Sequence, residues 1–157
     1  MGQSGNLQRE IKVKQIKNVL HEIKKAQEES DWNSFQQHFL REGNVIHIGT
    51  DVDEIWRDWD EFEKWMRKAL NSNSVKQITE KETQISLSHD ETVAWYSQLI
   101  DTCLETKGEI TRIEGFRHTG VMILNDDQWK IVQSHISAPL TDISSQINNH
   151  LQTSMQY

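Results

Sequence analysis

Four side chains in this sequence have the types and settings for chemistry: His135, His47, Arg117 and Asp101. His135 lies near the end of an alternating run, Trp129 to Ser137. In strand geometry Trp129, Ile131, Gln133, His135 and Ser137 fall on one face. An imidazole there could serve as a general base or hold a polar ligand group. The same residue could be structural, bonded to backbone. Ser137 could fix its tautomer or simply end the strand. His47 sits in the middle of Val45–Gly49, with Ile46 and Ile48 on the opposite side. Arg117 would place a planar donor fork in a cavity, suited to a carboxylate. Its alternative is a surface arginine paired with Glu109 or Glu114. Asp101 is the carboxylate placed mid-strand on the face that carries Trp95. Tyr96 falls on the other face, so no Asp–Tyr pair follows from the pattern. Trp56, Trp59, Trp65 and Trp95 could stack on a flat ligand or simply form core.

These residues need elements to carry them. Val13, Ile16, Val19, Leu20 and Ile23 recur at three- and four-residue steps and predict a helix over residues 10–29. Asp31 can cap a second, short helix whose Trp32, Phe35 and Phe39 share a face. A short strand spans Val45 to Gly49. Asp58, with Glu61 three positions on, starts a helix with an apolar face of Phe62, Trp65, Met66 and Ala69. Strands follow. Val75 to Ser88 has broken alternation, and Thr92 to Leu104 places Val93, Trp95, Ser97, Leu99 and Asp101 together. A long hairpin begins at Glu109 and turns at Asn125-Asp126-Asp127-Gln128, residues that tolerate left-handed backbone. Helices first and an antiparallel meander afterwards predict an α+β fold, with helices covering one face of the sheet. Residues 1–9 are expected to be a flexible end, 10–139 the domain, and 140–157 a polar extension. In that extension Ile143, Ile147 and Leu151 leave open either an amphipathic helix or a disordered tail.

Composition narrows the function classes. At 157 residues the chain is one domain that can bury a core without metal or disulfide. The net charge of −7 and the lack of a basic–aromatic stripe argue against nucleic acid. The single cysteine, Cys103, excludes an internal disulfide. No apolar run is long enough for a membrane span, and no signal peptide is evident, so a cytoplasmic protein is expected. No histidine pair has local metal-ligand spacing, and no glycine-rich phosphate loop or nucleophile elbow occurs. Neither metal nor cofactor is expected.

Two motifs together resemble the SnoaL-like branch of the nuclear transport factor 2-like superfamily. One is Arg117-His118-Thr119 followed by Trp129-Lys130-Ile131-Val132, His135 and Ser137. The other is Ile46-His47-Ile48-Gly49-Thr50 with Glu54-Ile55-Trp56-Arg57 and Trp59-Asp60-Glu61-Phe62. Asp58 stands where the family commonly has glycine. The resemblance covers about residues 10–139 and implies N-terminal helices on a strongly curved, cone-shaped antiparallel sheet around a pocket. It implies a pocket of Trp56, Trp95, Arg117, Trp129, His135, Ser137, His47 and Asp101. Kinase association domains of the superfamily place arginines there on a His-x-His-Arg strand. Here Gln133 and Ile136 replace the first histidine and the arginine, which does not favour an anion pocket of that type. The expected function is a homodimer binding a small, partly apolar molecule. Alternatives are an isomerase, cyclase or hydrolase on a small carbonyl compound with His135 or His47 as base, and an oligomeric assembly module.

Overall fold

A computed structural model of the chain describes residues 2–139. The C-terminal extension, with its possible helix over residues 141–151, lies outside them. Helix α1 spans Gly2–Glu28, eight residues earlier than the apolar stripe alone predicts, so the expected flexible start is helical. Its buried face is Ile16, Leu20, Ile23 and Ala26. Asp31 caps α2 (Trp32–Gln36), accepting from the Ser34 N–H at 3.1 Å. Asp58 caps α3 (Trp59–Asn71), accepting from the Glu61 N–H at 2.8 Å. The Glu61 carboxylate reaches back to the Arg57 N–H at 3.1 Å. Both helices begin where the sequence places their caps.

Six strands form one curved, unclosed sheet: β1 (Ile46–Ile48), β2 (Ile55–Trp56), β3 (Val75–Leu87), β4 (Val93–Thr106), β5 (Glu109–Asn125) and β6 (Gln128–Ser137). Their order is β2-β1-β6-β5-β4-β3. All neighbours are antiparallel except β1 and β6, which run parallel. The hairpin between β5 and β6 turns through Asp126 and Asp127, both at positive φ (48° and 60°), as their short carboxylates allow.

Four register shifts interrupt the sheet, one at Lys76 near the start of β3 and three bulges within longer runs of pairing, and an extra residue bends a strand and sharpens its twist. In β3, Glu82 and Thr83 together oppose Gln98. In β5, Glu114 and Gly115 together oppose Asp101. Gly115 holds φ 75°, where an L side chain would be strained, and its N–H donates to Asp101 Oδ1 at 3.0 Å. In β6, Val132 is the extra residue, because Val121 opposes Gln133 while Met122 opposes Ile131.

The helices lie against one face of the sheet. Ala94, Tyr96 and Met122 are buried there with the helix side chains and the aromatic cluster Phe35, Phe39, Trp59 and Phe62. Two clamps hold α1 in place. Lys12 pairs with Glu91 at 3.0 Å and Arg9 donates to the Leu87 carbonyl at 3.0 Å, fixing the β3–β4 hairpin. At the other end, Glu28 accepts the Ile78 N–H on edge strand β3 at 2.6 Å.

Gly120 faces inward opposite Tyr96. A Cβ on it would lie 2.4 Å from Tyr96 Oη and 2.6 Å from the Gln133 carbonyl oxygen. Only a bare Cα lets the Tyr96 ring cross β5. Gly120→Ala is therefore expected to destabilise the fold by about 1–3 kcal/mol, the usual range for overpacking. Urea unfolding of the variant beside the parent checks this.

Candidate functional site

Between the three helices and the inner sheet face lies a cavity of about 210 Å³. Its wall is mostly apolar: Leu20 and Ile23 from α1, Phe39 after α2, Phe62 and Met66 from α3, and Ile100 and Ile131 from the sheet. Six uncharged polar side chains interrupt it, Gln27, His47, Thr50, Gln98, His118 and Ser134. Among the charged residues on the lining, Lys24 pairs with Glu28 at 3.7 Å, and Glu80 lies 3.6 Å from His21 Nδ1. Glu54 accepts the Thr50 and Asp51 N–H groups at 2.8 and 3.2 Å, closing the β1–β2 turn.

His47 is 1% exposed. Its Nδ1 lies 2.8 Å from Ser134 Oγ, which the parallel pairing of β1 with β6 places beside it. Its ring stacks on Phe62 with centroids 4.1 Å apart and meets Phe39 edge-on at 5.4 Å. Nε2 has no hydrogen-bond partner among the described residues. On the opposite wall a chain of side chains runs from β3 to β5. Thr83 Oγ1 donates to Gln98 Oε1 at 2.9 Å. Gln98 Nε2 lies 3.1 Å from His118 Nδ1, and His118 Nε2 lies 3.0 Å from Tyr96 Oη.

Burial dominates the electrostatics. It pushes His47 and His118 each from 6.5 down to about 4, because a charged imidazole loses its hydration there and finds no carboxylate in exchange. It also pushes the Tyr96 phenol up. Both rings are therefore neutral at pH 7.

Of the eight residues the sequence nominates, His47 and Trp56 line this cavity. Trp95, Asp101, Arg117, His135 and Ser137 lie on the outer sheet face, away from the helices. For His135 and Ser137 the cause is Val132: the bulge turns the end of β6 over, so Ser134 and Ile136 face the cavity and His135 is exposed. Arg117 donates to Ser137 Oγ at 3.1 Å and to the Ala138 carbonyl at 3.0 Å, not to an acid or a cavity. Asp101 is a structural anchor. Lys81 at 2.8 Å and the Gly115 N–H hold its carboxyl below the usual carboxylate range. Trp95 is 51% exposed. Trp129 is buried before the bulge, on the α1 side, and does not line the cavity. Gln98, His118 and Ser134 were not singled out from sequence. For Gln98 the signal was present, since a glutamine alternating with Ala94, Tyr96 and Ile100 occupies a buried register. For His118 and Ser134, no local signal separates them from Arg117 and His135.

A curved sheet lined by helices around one hollow defines the cone-shaped α+β class. The sequence profile of the SnoaL-like domain matches residues 16–141, and the chain belongs to that family. No curated protein matches it in sequence. Solved structures share the fold at low identity. One is a proposed dehydratase of the nuclear transport factor 2-like family from Streptomyces avermitilis, with TM-score 0.72 and 14% identity over 84% of this chain and 99% of that one. A proposed scytalone dehydratase from Novosphingobium aromaticivorans gives 0.72 and 10% over 84% and 87%. A proposed ketosteroid isomerase from Shewanella frigidimarina gives 0.62 and 23% over 76% and 92%.

The two neutral histidines make stability depend on pH. The folded state binds fewer protons than the unfolded chain between the folded pKa of about 4 and the unfolded 6.5. Stability is thus highest above pH 6.5 and declines as the pH falls to 4. Each histidine contributes roughly 3 kcal/mol to that decline. Urea unfolding from pH 7.5 to 4 is expected to show this slope, and His47→Gln should remove about one proton of it.

Proposed function

We propose that the protein binds a small, partly apolar molecule in the central cavity and acts as a homodimer. The observation that carries this reading is His47 Nε2, a buried polar atom without a partner among the described residues in a mostly apolar hollow. A buried group left unpaired costs about 1–3 kcal/mol, and a bound molecule that pairs it returns that energy. The neighbours described as dehydratase and ketosteroid isomerase keep an isomerase, cyclase or hydrolase in view, with His47 as base. A base works best with its pKa near the working pH, and burial holds His47 at about 4. Binding is therefore favoured over acid–base catalysis.

Dimerisation is supported by the outer sheet face, where Trp95 is 51% exposed among the partly covered Val93, Leu99 and Val121. An assembly role would use the same face. Among the described residues no helix is long and apolar enough to cross a membrane.

Native mass spectrometry of the freshly purified protein, beside its denatured mass, tests both halves. The expected result is a dimer with added small mass that denaturation releases. A monomer with no retained mass would contradict the proposal. Trp95→Glu is expected to shift the dimer toward monomer by at least tenfold in dissociation constant while the retained mass stays with each chain.

A further inference from the structure

The cavity holds two neutral histidines, and their partners give them different roles. On the His118 side both ring nitrogens are spent. Thr83 donates to Gln98 Oε1, which leaves the Gln98 amide nitrogen facing His118 Nδ1. A neutral imidazole has one donor and one acceptor nitrogen. With Nδ1 accepting, the proton sits on Nε2 and donates to Tyr96 Oη. His118 therefore offers a ligand no free nitrogen.

His47 is the open one. Its tautomer follows from counting unmet groups. If Ser134 donates to Nδ1, only Nε2–H lacks a partner. If Nδ1–H donates to Ser134, both the serine hydrogen and the Nε2 lone pair lack one. Each unmet buried group costs desolvation energy, so the first arrangement is the lower. Nε2 is also the ring nitrogen farther from the backbone. His47 lies on the inner face of β1, lines the hollow, and has Phe62 and Phe39 closing on its ring, with Nε2 buried and unpartnered among the described residues.

We infer that His47 is a hydrogen-bond donor, with its Nε2–H fixed by Ser134, and that it selects an uncharged, single-ring ligand by its carbonyl or similar acceptor oxygen. Size supports the class. The hollow of about 210 Å³ is moderately larger than the ~150 Å³ apolar cavity that admits benzene. Charge supports it as well. The ring that meets the ligand is neutral, and Lys24 is already paired with Glu28, so a carboxylate entering the hollow would shed its water for no compensating cation. The inference rests on the cavity being the binding site, and the experiment separates the two.

The tautomer is read without any ligand, by long-range ¹H–¹⁵N NMR of the full chain at pH 7. A proton on His47 Nε2 is expected, and a proton on Nδ1 overturns the inference. Ligand choice is read by titrating three single-ring probes, acetophenone, ethylbenzene and benzoate, against tryptophan fluorescence. Acetophenone is expected to bind roughly tenfold more tightly than ethylbenzene, as one added hydrogen bond would give, with benzoate weakest. His47→Phe should make acetophenone and ethylbenzene equal. Equal affinities in the parent protein overturn the donor role and leave the cavity reading standing. Binding by none of the three overturns the cavity reading, and this inference with it.

Discussion

Val132 is the residue on β6 that has no counterpart on β5, and the site depends on that excess. Before it, Trp129 and Ile131 point toward the helices and complete the core. After it the strand has turned over, and Ser134 and Ile136 take the inward positions. The parallel pairing of β1 with β6 then puts His47 beside Ser134, and the serine hydroxyl fixes the imidazole. A β6 without the bulge would bring Gln133 and His135 inward and leave His47 without its partner. The bulges at Glu82–Thr83 and Glu114–Gly115 bend β3 and β5 in the same way. Each is secured by a side chain opposite it: Gln98 bonds Thr83, and Asp101 bonds the Gly115 N–H. The curvature of the sheet and the polar spots of the cavity thus have a common origin.

The polarity of the site is economical. The two imidazoles of the hollow stay neutral because burial withholds the water a charged ring would need. One is saturated by the Thr83–Gln98–Tyr96 chain and stiffens the wall. The other keeps a single unmet nitrogen. Such a hollow favours molecules that are mostly apolar with one well-placed polar atom, and protein ligand pockets commonly have this character. The same burial makes the fold acid-sensitive, so the site and the stability of the domain are linked through the same two side chains.

Much of this architecture was legible in the sequence. The caps at Asp31 and Asp58, the stripe of α1, the Asn125–Gln128 turn and the two family motifs place the helices, the hairpin and the α+β cone. Membership of the SnoaL-like family agrees with that reading. The site was less legible, for a definite reason. Strict alternation carries a face assignment along a strand only while the register is unbroken, and a bulge inverts it. In β3 the broken pattern after Ile78 announced the bulge. In β6 nothing did, because Val132 fits an apolar run and Gln133, Ser134 and His135 are all polar. His135 and Ser137 were consequently given to the pocket, Arg117 was left between pocket and surface, and Ser134 and His118 were overlooked. The Trp95–Asp101 face was read correctly as a face. Which side of it the helices cover was not local information, because Tyr96 and Trp95 are equally suited to burial.

The claim on which the rest stands is that the end of β6 is inverted, so that the cavity and not the outer face receives a small molecule. Thiol labelling tests it directly, with single cysteines at positions 135 and 136 (His135→Cys, Ile136→Cys) in a Cys103→Ser background, with and without acetophenone. The structure predicts that His135→Cys reacts rapidly and ignores the probe. Ile136→Cys should react slowly, and more slowly still once the probe is bound. Rapid, probe-insensitive labelling at position 136 with protection at position 135 would contradict the account.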